Sequence, residues 1–187
     1  MAKDNSELHG AEKKEAFHQE AESHIHTFSF APPKVEFQTQ KKKMHIKLAG
    51  TNSCRASIQI LHNGGENNLH YHPNMDLIYM VMKGRIRFYG PGETLLGDFG
   101  PNEGLLIPEN SRYWFESVGD EEAHLMQIAG FPKGVDAYKR IAVEPPKHED
   151  GGESAWMSLA TGEVITDAEQ KRREMREVAD QLAKSKA

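Results

Sequence analysis

The stretch GENNLHYHPNMDLIYMVMKG, Gly65–Gly84, decides how the rest of the chain is read. His70 and His72 are separated by one residue. In a strand, residues two apart project from the same face, so the two imidazoles stand side by side with about 7 Å of backbone rise between them. Two imidazoles on one face are a natural start for a divalent-metal site. Pro73-Asn74 then bends the chain, Leu77 to Met82 is an apolar strand, and Lys83-Gly84 ends it with a turn.

Outward from this stretch the same texture continues from Val35 to about Gly130. Short apolar runs (VEFQT, MHIKLAG, RASIQIL, LIYMVM, RIRFYG, LLIP, RYWFES, HLMQIAG) are separated by the turn clusters HNGGENN, GPGET, GDFGPNEG and VGDEE. Short strands at this spacing predict an all-β sandwich or barrel. The alternation is strictest in Arg85-Ile86-Arg87-Phe88, where charged and apolar residues take turns.

Gly65, His70, His72 and Gly84 resemble the first sequence motif of the cupins, in which a glycine leads into His-x-His, a Glu and a closing glycine. The block GDFGPNEGLLIPENSRYWFESVGDEEAHLMQI resembles the second motif at Gly97-Asp98, Gly104, Ile107-Pro108 and Gly119-Asp120. The resemblance covers roughly residues 50–130. It implies a jelly-roll barrel (a double-stranded β-helix), a homodimer and a ligand pocket inside the barrel. A metal-binding cupin supplies three histidines and one Glu. Here the Glu position is Leu77, the third-histidine position is Tyr113, and the usual asparagine is Ser117.

The expected site is therefore His70 and His72 as ligands of a divalent metal (Fe, Zn, Mn or Ni). Asp76 joins them if the Pro73-Asn74 bend shifts the register, or if the family's shorter gap between the histidines and the Glu position applies. Tyr113 is the catalytic acid or base, or a further ligand. Leu77, Tyr79, His62 and His124 line the pocket. His124 and Gln127 are three apart on one strand, so at most one of them points inward. The first functional reading is a metal-dependent enzyme acting on a small polar or carboxylate metabolite, by dioxygenase, decarboxylase, isomerase or lyase chemistry. The second is a metal-free module that binds or senses a small metabolite. The third is a metal-free enzyme with His70 or His72 as base and Tyr113 as acid.

Residues 1–30 form a polar extension, helical or disordered, and His24 and His26 within it read as surface residues. Residues 31–131 are the barrel. Residues 132–187 are a C-terminal extension, with a short helix over 136–142 and a longer one from Thr166 to about Ala183. In the longer helix Thr166 and Glu169 have capping-box spacing, and Met175, Val178 and Leu182 form a narrow apolar stripe. The chain has 187 residues and a net charge of −5, which gives no reason to expect nucleic acid. No run reaches the roughly 18 apolar residues of a membrane span. The first 22 residues have no apolar segment of the kind a secretory signal needs. The one cysteine, Cys54, is expected to be a small buried strand residue. A cytoplasmic protein follows as the expectation.

Overall fold

The computed structural model of the chain describes residues 5–31, 43–62, 68–137, 139–145, 147, 155–158 and 164–166. The chain divides into two units, Met1–Ala31 and Pro32–Ala187. In the first, α1 (Asn5–Ser23) is built from Glu, Lys, Ala and Gln, residues that lose little rotamer freedom in a helix. Gln19 donates to Glu15 one turn back at 3.1 Å. His24 and His26 follow the helix and are exposed. Among the described residues no helix is long and apolar enough to cross a membrane.

The second unit is a barrel of two facing sheets. Its strands are β1 (Lys43–Gly50), β2 (Cys54–Leu61), β3 (His70–Tyr71), β4 (Asp76–Lys83), β5 (Ile86–Tyr89), β6 (Leu95–Phe99), β7 (Gly104–Ile107), β8 (Trp114–Ser117), β9 (Ala123–Gly130), β10 (Ile141–Ala142), β11 (Ala155–Ser158) and β12 (Val164–Thr166). The larger sheet runs β12-β11-β1-β2-β9-β4-β7, and the smaller ones run β6-β5-β8 and β10-β3. An antiparallel bridge between His70 and Tyr113 joins β3 to the residue just before β8, so the two small sheets form one wall.

Register fixes which side chains face inward. Leu77, Tyr79 and Val81 of β4 oppose Ala129, Gln127 and Leu125 of β9. Ile86 and Phe88 of β5 turn inward from the other wall, while Arg85 and Arg87 turn out to meet Asp98 at 2.7 and 3.0 Å. The two walls meet over Leu61, Leu77, Val81, Phe88, Phe115 and Leu125. Phe88 lies 5.0 Å from Phe115 and 5.2 Å from Tyr79, in tilted contacts. Burial of each such side chain contributes roughly 1.5–3 kcal/mol.

Four details depart from the sequence reading. Of the cluster GDFGPNEG, read as a turn, Gly97-Asp98-Phe99 belongs to β6, because Asp98 pairs across the ladder with Arg87, and the turn begins only after it. The described residues within 136–142 form no helix: a turn at Asp136 precedes β10, whose register sets Ile141 and Ala142 against Tyr71 and His70. Here an open strand edge outweighs local propensity. Beyond residue 131 the chain adds strands to both walls, with β11 running parallel to β1. Cys54 is exposed at the start of β2. The expected strand at 35–39 and the expected helix after Thr166 lie outside the described residues.

Gly104 marks the closest approach of β7 to β4. A Cβ there would fall 1.9 Å from the Tyr79 carbonyl oxygen. The backbone cannot yield without breaking the β4–β7 ladder, so Gly104→Ala is expected to cost about 2 kcal/mol or more. Thermal unfolding checks this. An unchanged midpoint would show that β7 is dispensable.

Candidate functional site

The histidine pair is held at both ends by backbone. His70 N–H donates to Tyr113 O at 3.1 Å, and Tyr113 N–H returns a bond to His70 O at 3.0 Å. Asn110 N–H donates to His72 O at 2.8 Å. The cross-strand pairing sets the His70 and Tyr113 rings 4.5 Å apart, and the His70 and His72 rings stand 5.2 Å apart at 88°. His70 and Tyr113 are 2% and 1% exposed, whereas His72 is half-buried.

Each imidazole is oriented by a carbonyl. His70 Nδ1 lies 2.8 Å from Asn68 O, and His72 Nδ1 lies 3.1 Å from Lys139 O. A carbonyl oxygen only accepts, so Nδ1 carries the proton in both rings and each Nε2 keeps its lone pair. Lys139 belongs to the segment after the barrel core. Asn74 fastens that segment to Asp136 O at 3.1 Å, and Arg140 donates to the Asn68 side chain.

A polar belt continues across the barrel interior. Tyr113 Oη is 2.9 Å from Tyr79 Oη. Gln59 donates to Gln127 Oε1 at 2.9 Å, and Ser57 Oγ reaches the same oxygen at 3.5 Å. Arg55 lies two residues before Ser57 on the same face of β2. None of Arg55, Ser57, Gln59 or Arg140 entered the expected site. The signal for the first three was a polar residue at every second position of RASIQIL.

The expected residues separate into two groups. His70, His72, Tyr79 and Tyr113 come together, and Leu77 is buried in the core beside them. Asp76 does not join them. It is exposed, and its Oδ1 accepts the Glu109 N–H at 2.8 Å, because residues adjacent in a strand face opposite ways. His124 also leaves the pocket. It is buried on the other face of β9, 2.6 Å from Glu122 Oε1, and Gln127 is the residue that points inward. His62 follows the end of β2, half-buried.

Comparisons with known proteins agree on the fold. The chain matches no family model. It is 34% identical over 87 residues to a Streptomyces cyaneus protein named polyketide synthase CurC; the match takes in 44% of this chain and 55% of that protein, so the chain spans about half the length of this relative. A solved double-stranded β-helix protein from Klebsiella pneumoniae subsp. pneumoniae MGH 78578 overlays with a TM-score of 0.53 at 12% identity, over 64% of this chain and 100% of that one. An RmlC-like cupin from Desulfovibrio desulfuricans overlays with a TM-score of 0.48 at 15% identity, over 56% of this chain and 97% of that one.

Burial dominates the electrostatics. It holds His70 well below the ordinary imidazole range, with Arg140, His72 and Lys43 adding to the effect and the Asn68 carbonyl opposing it. His72 is lowered to about 4 by burial, then by Arg140 and Arg55, against the Lys139 carbonyl. His45, stacked on Trp156 at 4.5 Å, is likewise lowered by burial, Lys43 and Arg55. Burial raises Tyr79 to about 12 and pushes Tyr113 up as well. At pH 7 a phenol of pKa about 12 is ionised in about one molecule in 10⁵. Both phenols therefore act as neutral hydrogen-bond donors.

The fold family implies a metal, and the histidine pair supplies part of a donor set for one. The two Nε2 lone pairs suit a divalent cation, since ligating imidazoles donate their other N–H to just such acceptors. Among the described residues, however, no group of three or more His, Cys, Asp or Glu is assembled. Closed sites use four protein ligands and open catalytic ones three. Among the described residues the donor set therefore fits a metal incompletely.

Because these histidines stay neutral in the fold and ionise near 6.5 when unfolded, the unfolded state binds more protons between those values. Stability should therefore fall as pH drops from about 6.5 towards about 4. His72→Gln should flatten that slope in pH-resolved thermal melts. An identical slope in the variant would mean that His72 titrates normally in the fold.

Proposed function

We propose, for a chain whose barrel is the double-stranded β-helix of the cupins, an enzyme that enolises a small carbonyl compound and lets the enolate carbon attack a second carbonyl in the same molecule. The observation that carries this reading is the pairing of two neutral imidazoles, each with Nδ1 on a backbone carbonyl, against two neutral phenols. A neutral base beside neutral donors is what proton abstraction next to a carbonyl requires.

In this reading Nε2 of His70 or His72 takes a proton from the carbon beside the carbonyl. The C–H electron pair becomes the C=C bond of the enolate, and the carbonyl oxygen takes the charge. Tyr113, backed by its bond to Tyr79, donates to that oxygen, the role of an oxyanion hole. The enolate carbon closes a ring on the second carbonyl, and the new alkoxide takes the proton back from the imidazolium. Atoms and electrons balance with no oxidant. The likeness to a protein named polyketide synthase supports substrates with carbonyls on alternate carbons, whose intervening methylenes are acidic.

A second reading rests on the same tautomers. His70 and His72 would be two ligands of a divalent ion, Fe, Zn, Mn or Ni, with the remaining positions filled by water or substrate.

Deuterium uptake at the methylene of ethyl benzoylacetate in D₂O tests both. The enolising reading predicts uptake above background that survives chelator. A double His70→Gln, His72→Gln variant should lower it by about 10²-fold or more, and Tyr113→Phe by about 10–100-fold. Uptake abolished by chelator, with stoichiometric metal in elemental analysis, would favour the second reading. Saturable binding without uptake would point to a metabolite-binding module.

A further inference from the structure

We infer that the barrel holds a second polar subsite, built by His45 and Gln59, which takes a hydroxyl on the far part of the ligand. This rests on the enolising reading and narrows its substrate to a β-dicarbonyl compound that carries a hydroxyl group. His45 of β1, Gln59 of β2, Leu125 of β9 and Val81 of β4 form one rung across the large sheet. Residues directly opposed in a sheet share a face, and Leu125 and Val81 belong to the core between the two walls. The rung therefore faces the barrel interior. It stands one two-residue step, about 7 Å, along β9 from the rung of Tyr79 and Gln127.

Two polar atoms on this rung are buried without a partner. His45 Nδ1 and Gln59 Oε1 meet no hydrogen-bonding group among the described residues. Gln59 is 3% exposed, and its Nε2 is committed to Gln127 Oε1 at 2.9 Å, which leaves Oε1 as the unused end of the amide. A buried acceptor without a donor is costly, so such an atom marks where a partner belongs. The His45 ring is held in place by its near-parallel stack on Trp156 at 4.5 Å. Burial keeps that imidazole neutral, so it offers one N–H and one lone pair. Directly opposed residues have Cβ atoms about 4.5–5.5 Å apart, so one small group can meet both side chains. That group must donate to Gln59 Oε1. Among oxygen groups a hydroxyl does so and still accepts from the Nδ1–H tautomer of His45, whereas a carbonyl, carboxylate or ether oxygen only accepts.

Benzoylacetone, its meta- and para-hydroxy derivatives and their methyl ethers share one skeleton and differ in a group that is absent, donates or only accepts. Isothermal titration should show wild type binding one hydroxy isomer at least about tenfold more tightly than benzoylacetone, and neither methyl ether more tightly. Gln59→Leu should lose that preference and leave benzoylacetone within about twofold. His45→Phe, which keeps a ring against Trp156, should weaken the preference, and His45→Asn should retain more of it than His45→Phe does. Equal wild-type affinity for the hydroxy compounds and benzoylacetone overturns the inference even if no variant folds, and leaves water as the partner of the two atoms. A methyl ether that binds as tightly as its hydroxy parent overturns it too, as does a preference that survives in folded Gln59→Leu. Deuterium uptake read on the same samples separates the two ideas. Hydroxyl preference without uptake removes the base role and leaves the subsite, whereas uptake without preference removes the subsite alone. No binding of any of these compounds overturns both.

Discussion

The reciprocal pair of backbone hydrogen bonds between His70 and Tyr113 is the constraint on which the rest of the site depends. It joins β3 to the strand that carries Phe115. It also sets the imidazole and the phenol against each other without asking either side chain to hold its own position. Side-chain contacts alone would charge the full rotamer entropy of both rings to the site. Once the backbone fixes them, the Asn68 and Lys139 carbonyls need only choose the tautomer, and Tyr79 need only meet one hydroxyl.

The same economy explains how polar groups survive inside a barrel. Leu61, Leu77, Val81, Phe88, Phe115 and Leu125 make one continuous apolar region. The polar residues are gathered into a belt in which Ser57 and Gln59 both meet Gln127, and Tyr79 meets Tyr113. An isolated buried amide or hydroxyl costs about 1–3 kcal/mol, so a scattered set would unfold a chain of ordinary stability, and a connected one need not.

Much of this was legible in the sequence, and the unread parts share a cause. The strands and the His70, His72, Tyr113 constellation follow from period-2 patterning and motif spacing, both of which are local. Asp76 was a candidate because a bend could have shifted its register or the family's shorter gap could have applied. The strand instead keeps its alternation, and the carboxylate faces the Glu109 backbone. Arg55, Ser57 and Gln59 were visible as alternating polar residues in RASIQIL, but alternation does not say which face is inward when Ile58 and Ile60 on the other face are buried as well. The Lys139 carbonyl that orients His72 comes from 67 residues away. It carries no side-chain signature, so only the assembled fold reveals it.

The Asn68 and Lys139 carbonyls hold both histidines as neutral Nδ1–H tautomers. Nitrogen-15 NMR of the imidazoles, followed across pH, reads that state directly. A protonated Nδ1 and an unprotonated Nε2 are expected for both rings at pH 7, with His72 gaining its second proton only near pH 4. Nε2–H tautomers, or titration near the ordinary imidazole value, would contradict it.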